Sequence, residues 1–184
     1  MKKIWEYPGV DILLIFLGCI LAYKLAGFLL CTPHPLNVVV SPSMNPTLNE
    51  GDLVIAYGCS NYSLGDIIFY IPNEYYRKLG INKPILHRIV AEINIENKTE
   101  KYWEGIYSLP PSQRQKIFDL AKKVLEDKNI KRFTSYKIVY LVKGDNNKMP
   151  DNMPVFREQI LGKVLFRIPY LAYPRYLIYK LFGV

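Results

Sequence analysis

The stretch VVVSPSMNPTLNEGDLV, Val38 to Val54, joins two apolar runs through a polar segment that is rich in serine and proline. Valine favours strands, whereas proline, asparagine and glycine favour turns. The stretch therefore predicts a strand, a rigid turn and a returning strand. Ser43 stands between Pro42 and Met44 where the first strand ends, so its hydroxyl is expected to project from a turn whose backbone is restricted by proline.

The same strand pattern continues along the rest of the chain. Runs of β-branched and aromatic residues are separated by turn signals, and no strand–helix unit repeats. The predicted strands lie at 36–40, 52–58, 66–71, 85–95, 136–142 and 162–166. This pattern favours a mainly β fold, an antiparallel β-domain that we assign to residues 35–166.

One segment inside this domain has helical periodicity. Apolar residues recur at helical spacing in PSQRQKIFDLAKKVLEDKN, and Ser112 with Gln115 has the spacing of a capping box. We therefore expect a helical insertion at about 105–132, peripheral to the domain and structural in role.

A long apolar segment precedes the β-domain. Residues 9–31 follow a short N-terminal tail, 1–8, and two prolines, the first of them Pro33, come soon after. A bilayer core of about 30 Å needs roughly 20 helical residues. The segment 9–31 is therefore predicted to be a transmembrane signal-anchor helix.

Two other interpretations of this apolar segment fit its residues less well. A cleaved signal peptide would have a shorter run and an A-x-A site, and a lipoprotein signal would have a small residue where Leu30 precedes Cys31. Lys24 counts against a span, but its long side chain can reach the interface. Lys2 and Lys3 favour a cytoplasmic N-terminus, which places the β-domain outside the cytoplasm.

The C-terminal segment, 167–184, has tyrosines at every third position between 170 and 179, with basic residues among them. A cationic, tyrosine-rich segment is typical of the membrane interface. We predict a C-terminal membrane-interface segment. An ordinary terminal segment packed on the core is the alternative.

Composition narrows the function classes. The formal net charge is +8, but the basic residues are spread along the chain, which disfavours nucleic acid and leaves an anionic lipid surface. Cys19, Cys31 and Cys59 form no C-x-x-C pair, and two of them fall in the apolar segment. We therefore predict neither a disulfide framework nor a metal site.

A serine nucleophile requires a base, and the chain contains two histidines. His34 lies in a proline-bound linker, whereas His87 lies in a predicted strand that would give its imidazole a defined direction. Asp145 or Asp151 could orient that imidazole. From these residues alone, a turn serine, a strand histidine and solvated aspartates are favoured over a catalytic set, because isolated residues of these types establish little.

Three motifs in order resemble those of type I signal peptidases. SPSMNPTLNEGDLVI, from Ser41, is similar to the nucleophile box, HRIV, from His87, to the base box, and KGDNNKMPD, from Lys143, to the Gly-Asp-Asn-Asn box. Histidine at a position where bacterial members have lysine resembles the archaeal and endoplasmic-reticulum branch. The resemblance covers residues from about 10 to 170 and implies a signal-peptidase-like antiparallel β-domain behind a transmembrane helix.

The resemblance implies roles for individual residues. Ser43 would be the nucleophile, His87 the general base and Asp151 the partner of His87. Asp145 and Ser41 would support the site, and a catalytic role for them stays open; Ser41, with the Ser43 N–H, would face the oxyanion.

Substrate contacts are expected beside the first two motifs. An extended peptide could add to the flanking strands, with small side chains one and three residues before the cut. The positions expected to bind it are Val40, Pro42, Met44, Ile85 and Leu86.

The resemblance implies a membrane-anchored serine endopeptidase, a signal peptidase, that removes signal peptides from secreted and membrane preproteins. Its partners would be preprotein signal peptides and the lipid bilayer, with no nucleic acid, no metal and no organic cofactor; translocation machinery and accessory subunits stay open. The membrane would be the cell membrane or that of the endoplasmic reticulum, with a lumenal domain.

Two rival functions remain. A self-cleaving repressor-type protease is disfavoured by the anchor and by His87. A non-catalytic membrane-anchored β-domain that binds partner proteins would have no reason to bring Ser43, His87 and Asp151 together.

Overall fold

The structure, a computed structural model, describes residues 9–58, 61–72, 74–78, 80 and 83–183. Its α-helices are α1 (Val10–Leu29), α2 (Glu74–Lys78), α3 (Pro111–Glu126) and α4 (Tyr173–Phe182). Its strands are β1 (Leu36–Val38), β2 (Leu53–Tyr57), β3 (Ile67–Tyr70), β4 (Ile85–Asn94), β5 (Thr99–Tyr102), β6 (Ile138–Lys143), β7 (Val155–Phe156) and β8 (Ile160–Ile168).

Within the described residues, the strands form one antiparallel sheet. Its order is β1-β2-β8-β3-β4-β6-β7, and β5 pairs with the second half of β4. The last strand, β8, lies between β2 and β3, so the sheet is complete only when the C-terminal part of the chain has folded. The predicted fold class is confirmed: a mainly antiparallel β-domain with an apolar N-terminal helix and a helical insertion.

All six predicted strands are present, and two further strands were not predicted. β5 has the sequence TEKY, with charged and polar residues exposed on a hairpin, and β7 has two residues that follow a proline. Strands without a run of apolar residues give no periodicity signal, which explains why both were missed.

The helical insertion contributes to the core, which corrects the expectation that it is peripheral. Ile117 and Ala121 of α3 are fully buried and pack in one cluster with Ile93 of β4 and Leu141 of β6. The predicted capping box is also wrong. The helix begins with Pro111, which is favourable at the first helical position, and its N-cap residue is Pro110, whose side chain has no hydrogen-bonding group; Ser112 lies inside the first turn.

Helix α1 stands apart from the sheet. It has 20 residues, a mean hydropathy of 2.3 and no buried side chain, so by length and composition it can cross a membrane. At 1.5 Å per residue it is about 30 Å long, which matches a bilayer core.

The exit from α1 is bound to the end of β2. The Gly58 N–H donates to the Leu30 carbonyl at 2.8 Å, and the Ala56 N–H donates to the Pro35 carbonyl at 2.9 Å. Cys31 is disulfide-bonded, which corrects the expectation that the chain has no disulfide. The helix ends at Leu29, so Cys31 lies beyond the apolar span, where its thiol can be oxidised.

Candidate active site

Ser43 lies in a single 3₁₀ turn, Pro42–Met44, directly after an extended Ser41. Pro42 occupies the first position of this turn, where its fixed φ is compatible with helix. Met44 is 1% exposed and packs with Val39, Leu48 and Val54. The buried Met44 anchors the turn, while the adjacent Ser43 remains partly exposed.

His87 and Asp151 form a buried pair across 64 residues of sequence. Nδ1 of His87 lies 2.9 Å from Oδ2 of Asp151, and their side chains are 8% and 10% exposed. The Asp151 N–H donates to the Val142 carbonyl at 2.9 Å, which ties its loop to β6. A hydrogen on Nδ1 would pair with this carboxylate oxygen and would leave Nε2 as the proton acceptor.

The structure brings the Pro42–Met44 turn, which carries Ser43, to the end of β4 where His87 lies. The β4–β6 ladder begins at Arg88 and Lys143, and the chain then enters a turn. In that turn Asn146 donates its backbone N–H to the Ser43 carbonyl at 2.8 Å and its side-chain amide to the Pro42 carbonyl at 3.1 Å. The Pro42–Met44 turn also contacts β4, which carries His87.

The Ser43 hydroxyl pairs with a neighbouring serine. Its Oγ lies 3.1 Å from Oγ of Ser41, and among the described hydrogen bonds it makes none to His87. Catalytic hydrogen bonds often tighten only when substrate binds. Ser43 and His87 therefore lie on elements that contact each other, with no hydrogen bond between them among the described ones.

An unpaired backbone edge borders this site. β3 pairs with Ile85–Arg88 on one side of β4, but among the described strands none pairs with Ile85–His87 on the β6 side. Ile85 and Leu86 are half-buried on opposite faces of β4, and Leu86 packs against the cluster that contains Met44. Val40 is half-buried just after β1, which is an edge strand.

Asp145 lies on the opposite face of β4 from the His87 pair. Its carboxylate accepts two hydrogen bonds from Arg88, from Nε at 2.9 Å and from Nη2 at 2.7 Å. It also accepts one from Thr47 Oγ1 at 2.5 Å. Burial alone would raise the pKa of Asp145, but the hydrogen bonds from Arg88 and Thr47 and the charges of Arg88 and Lys143 outweigh it and hold that pKa below its ordinary value. Through Thr47, this network ties the loop from Ser43 to Asp52, which we call the nucleophile loop after its candidate residue, to β4.

Lys143 is a buried cation beside this network. It lies opposite Arg88 in the β4–β6 register, is 3% exposed, and donates to the Gly144 carbonyl at 3.1 Å. Burial lowers the pKa of Lys143, and the nearby Asp145 charge opposes that shift. Sequence reasoning gave no role to Lys143 or Thr47, although both lie within the quoted motifs.

Tyr70, a residue that sequence reasoning missed, is hydrogen-bonded to the Asp151 carboxylate of the His87–Asp151 pair. Its hydroxyl donates to Oδ2 of Asp151, the oxygen that His87 also contacts. Tyr70 is 1% exposed at the end of β3 and is 81 residues from Asp151 in sequence. A tyrosine that ends an apolar strand has no sequence signal that separates it from an ordinary core residue.

The loop that follows Ser43 is fastened by a buried carboxylate. Asp52 is fully buried, and its Oδ2 accepts from the Asn49 N–H at 2.9 Å and from Arg167 Nη1 at 3.0 Å. Its Oδ1 accepts from the Tyr170 N–H at 3.1 Å. The segment after β8 is therefore bonded directly to the loop that carries the candidate nucleophile.

Among the described residues, no group of three or more histidine, cysteine, aspartate or glutamate side chains is arranged to hold a metal ion.

Comparison with known proteins finds relatives along most of the chain. The signal peptidase complex catalytic subunit SEC11 of Ogataea parapolymorpha is 24% identical over 180 residues, which cover 92% of this chain and 82% of the relative. The subunit of the same name from Aspergillus clavatus is 28% identical over 151 residues, which cover 76% and 62%. An uncharacterized protein of Methanocaldococcus jannaschii is 27% identical over 172 residues, which cover 75% and 80%.

No model of a known protein family matches the chain. The alignment with the Ogataea parapolymorpha subunit nevertheless covers 92% of the chain, so it includes the three motifs. The chain is therefore related to the catalytic subunits of signal peptidase complexes, which confirms its resemblance to type I signal peptidases of the archaeal and endoplasmic-reticulum branch.

Proposed function

We propose that the protein is a membrane-anchored serine endopeptidase that removes signal peptides from secreted and membrane preproteins. The names of its relatives support a peptidase of this class. The observation that carries the proposal for this chain is the buried His87–Asp151 pair at the end of the ladder where the Ser43 turn contacts β4. A non-catalytic β-domain offers no explanation for that arrangement.

In the first step His87 Nε2 takes the Ser43 proton as Oγ attacks the carbonyl carbon of the scissile bond. The Ser43 N–H and the Ser41 hydroxyl stabilise the oxyanion; the first N–H groups of a helical turn have no intrahelical acceptor and are available for this. The imidazolium then gives its proton to the leaving amine. The mature protein departs, and the signal peptide stays as an ester on Ser43.

In the second step a water molecule attacks the ester carbonyl. His87 takes a proton from that water and returns it to Ser43 Oγ, so the enzyme is regenerated and the signal peptide leaves with a new carboxylate. Asp151 holds the imidazole in one orientation and stabilises its charged form in both steps.

The substrate would bind as an extended strand at the open edge of β4. Its backbone would pair beside Ile85–His87, and the residues before the cut would pass Val40 and Pro42. Met44 is buried, so its contribution would be to hold the shape of this wall. Preference for small side chains before the cut follows from the resemblance.

The membrane anchor would keep enzyme and substrate together. Helix α1 restricts the search for a preprotein to the membrane surface and raises the effective concentration. The fungal relatives are named as subunits of a complex, so we propose that accessory subunits or translocation machinery assist this chain as well.

We place the β-domain on the extracytoplasmic side, facing the outside of the cell membrane or the lumen of the endoplasmic reticulum. The disulfide at Cys31 supports this side, because disulfides persist in oxidising compartments. The lysines at the start of the chain favour the same orientation.

The direct test is cleavage of a preprotein by the purified protein in detergent, with the cut mapped by mass spectrometry. We expect one cut at the end of the signal peptide, after a small residue. Ser43→Ala should abolish it while thermal unfolding stays within a few degrees. Undiminished cleavage by Ser43→Ala would refute the mechanism, and no cleavage by the parent protein, with binding of preprotein retained, would favour the non-catalytic β-domain.

A further inference from the structure

We propose that Tyr70 is a positioning residue, whose hydroxyl holds the Asp151 carboxylate in the orientation that supports His87. The inference rests on the proposed peptidase reaction and adds a fourth residue to it, from a strand that carries none of the three motifs. Tyr70 acts through Asp151 and does not itself touch the substrate.

The geometry places two donors on one oxygen. The Tyr70 hydroxyl and Nδ1 of His87 both meet Oδ2 of Asp151. All three side chains are at most one-tenth exposed, so water does not readily replace either donor. Charge-assisted hydrogen bonds of this kind are the stronger ones in proteins.

The two donors come from rigid neighbouring strands. In the β3–β4 register Tyr70 lies opposite Ile85, and Ile68 lies opposite His87. Residues two apart on a strand share a face, so the phenol and the imidazole project from the same face of the sheet. Their separation is therefore set by the sheet itself.

Asp151, in contrast, comes from a loop. Its N–H donates to the Val142 carbonyl, and the segment before it, residues 147–150, has no regular secondary structure. The terminal torsion of an aspartate is broad, so a single bond to His87 leaves the carboxylate free to swing. A second donor on a strand restricts that swing and places Oδ2 in line with Nδ1.

An ordinary core tyrosine would also seek a partner for its hydroxyl. The two roles differ in what depends on the bond. A structural tyrosine affects stability regardless of Asp151, whereas a positioning tyrosine affects turnover only while the Asp151 carboxylate is present. Substitutions at Tyr70 and Asp151 together can separate them.

The first experiment compares the preprotein kinetics of full-length Tyr70→Phe with the parent protein. We expect kcat to fall by about tenfold to hundredfold, the range for loss of a hydrogen bond to a charged group, with KM within about twofold. Tyr62→Phe is the matched control, because Tyr62 is buried in the same cluster but its hydroxyl donates to the Gly58 carbonyl. It should keep kcat within about twofold.

The second experiment repeats Tyr70→Phe in an Asp151→Ala background. There the same substitution should change kcat by less than about twofold, because the group through which it acts is gone. An undiminished loss in that background would overturn the proposal, and so would a Tyr70→Phe enzyme with unchanged kcat.

A spectroscopic measurement covers the case in which Asp151→Ala turns over too slowly to measure. The Nδ1 hydrogen of His87 should give a sharp low-field proton resonance in ¹⁵N-histidine-labelled protein, retained in Tyr62→Phe and broadened or lost in Tyr70→Phe. An unchanged resonance in Tyr70→Phe would refute the positioning role. This signal needs no substrate, so it separates failure of the Tyr70 inference from failure of the peptidase function, which the parent protein's cleavage assay reports.

Discussion

His87 and Arg88 are consecutive residues of β4, and each takes one of the two aspartates of the third motif. Consecutive strand residues face opposite sides of a sheet. His87 meets Asp151 on one side, and Arg88 meets Asp145 on the other. The motif therefore supplies two carboxylates to two separate networks, which explains why their proposed roles differ.

Asp151→Asn is expected to damage turnover far more than folding. The amide can no longer stabilise an imidazolium or impose one tautomer on His87, which in a serine-protease triad costs about 10⁴ in kcat. We expect a loss of at least 10³ in kcat by the same argument, with a melting temperature near that of the parent protein. Single-turnover cleavage and thermal unfolding in detergent measure the two effects. Comparable losses of kcat in Asp145→Asn would contradict this assignment.

Asp145→Asn is expected to damage folding more than chemistry. The substitution leaves the Arg88 guanidinium, whose side chain is 14% exposed, without its carboxylate. Breaking a buried ion pair costs about 3 kcal/mol. Denaturant unfolding should show that loss, and kcat of the folded fraction should stay within about tenfold of the parent value.

Acid should reduce the contribution of Asp145. Its folded pKa lies below the ordinary value of 3.8, so its stabilisation is present above that value and is lost as the pH falls through the lower folded pKa. The difference in melting temperature between the parent protein and Asp145→Asn should therefore be constant from neutral pH to about 5 and shrink below about 4. A difference that grows on acidification would have the wrong sign for a depressed carboxylate.

At this scale the motifs predicted the candidates Ser43, His87 and Asp151, but nothing in the sequence predicted Tyr70. Residues inside a motif have a recognisable local pattern. Tyr70 meets Asp151 only because β3 pairs with β4, and strand pairing is not visible in either segment alone.

Among the elements, the nucleophile loop and the C-terminal segment act as one unit. The Ala172 N–H donates to the Gly51 carbonyl at 3.0 Å, and the Tyr176 hydroxyl donates to Glu50 Oε1 at 2.9 Å. Together with the hydrogen bonds from Arg167 and Tyr170 to Asp52, these contacts attach the end of the loop to the C-terminal segment. The predicted alternatives for this segment, interface or core, are therefore not exclusive, because one side of it packs on the domain.

Gly51→Ala tests this contact. Gly51 has a φ of +85°, and an added Cβ would lie 2.6 Å from Cδ2 of Tyr173. Gly80→Ala is the matched control, since Gly80 has a φ of +82° but no contact from the described residues within 4 Å of an added Cβ. The left-handed conformation should lower the free energy of unfolding of both variants by about 1–2 kcal/mol. The overlap should lower that of Gly51→Ala by roughly 1–3 kcal/mol more.

The same pair of variants should differ in activity. Displacing Tyr173 weakens the contacts between the C-terminal segment and the nucleophile loop. We therefore expect Gly51→Ala to lower kcat at a temperature where both variants are folded. Equal stability and equal kcat in the two variants would show that the C-terminal segment does not support the loop. Denaturant unfolding and preprotein cleavage provide the measurements.

Across the whole molecule, one group of exposed apolar residues lies within or just before the predicted interface segment, 167–184, and we call this group the C-terminal surface. It consists of Leu165, Phe166, Tyr170, Leu171, Leu177, Ile178, Leu181 and Phe182. Phe166 lies in register with Ile55, and Ile55 with Leu36, so this surface continues across the sheet towards the exit of α1. We propose that it rests on the bilayer, with Arg175 and Lys180 near anionic headgroups.

Nitroxide labels can measure this contact in full-length protein reconstituted into vesicles with anionic lipid. In a Cys19→Ser background, which removes the free thiol of α1, the spin of a label at Leu181→Cys should relax faster through collisions with oxygen than with a water-soluble nickel complex. A label at Lys101→Cys, on the exposed strand β5, should show the reverse. Equal accessibility of both labels to the nickel complex would place residues 167–184 away from the membrane.

The sequence by itself determined the apolar helix, six of the strands and the three candidate motifs, because hydrophobic periodicity, strand propensity and motif spacing are properties of contiguous residues. The tertiary structure alone decided how Asp145 and Asp151 divide between the two faces of β4, that α3 belongs to the core, that Cys31 is bonded, and that Tyr70 reaches Asp151. These features depend on contacts between residues far apart in the chain, and such contacts exist only once the strands have paired into the sheet.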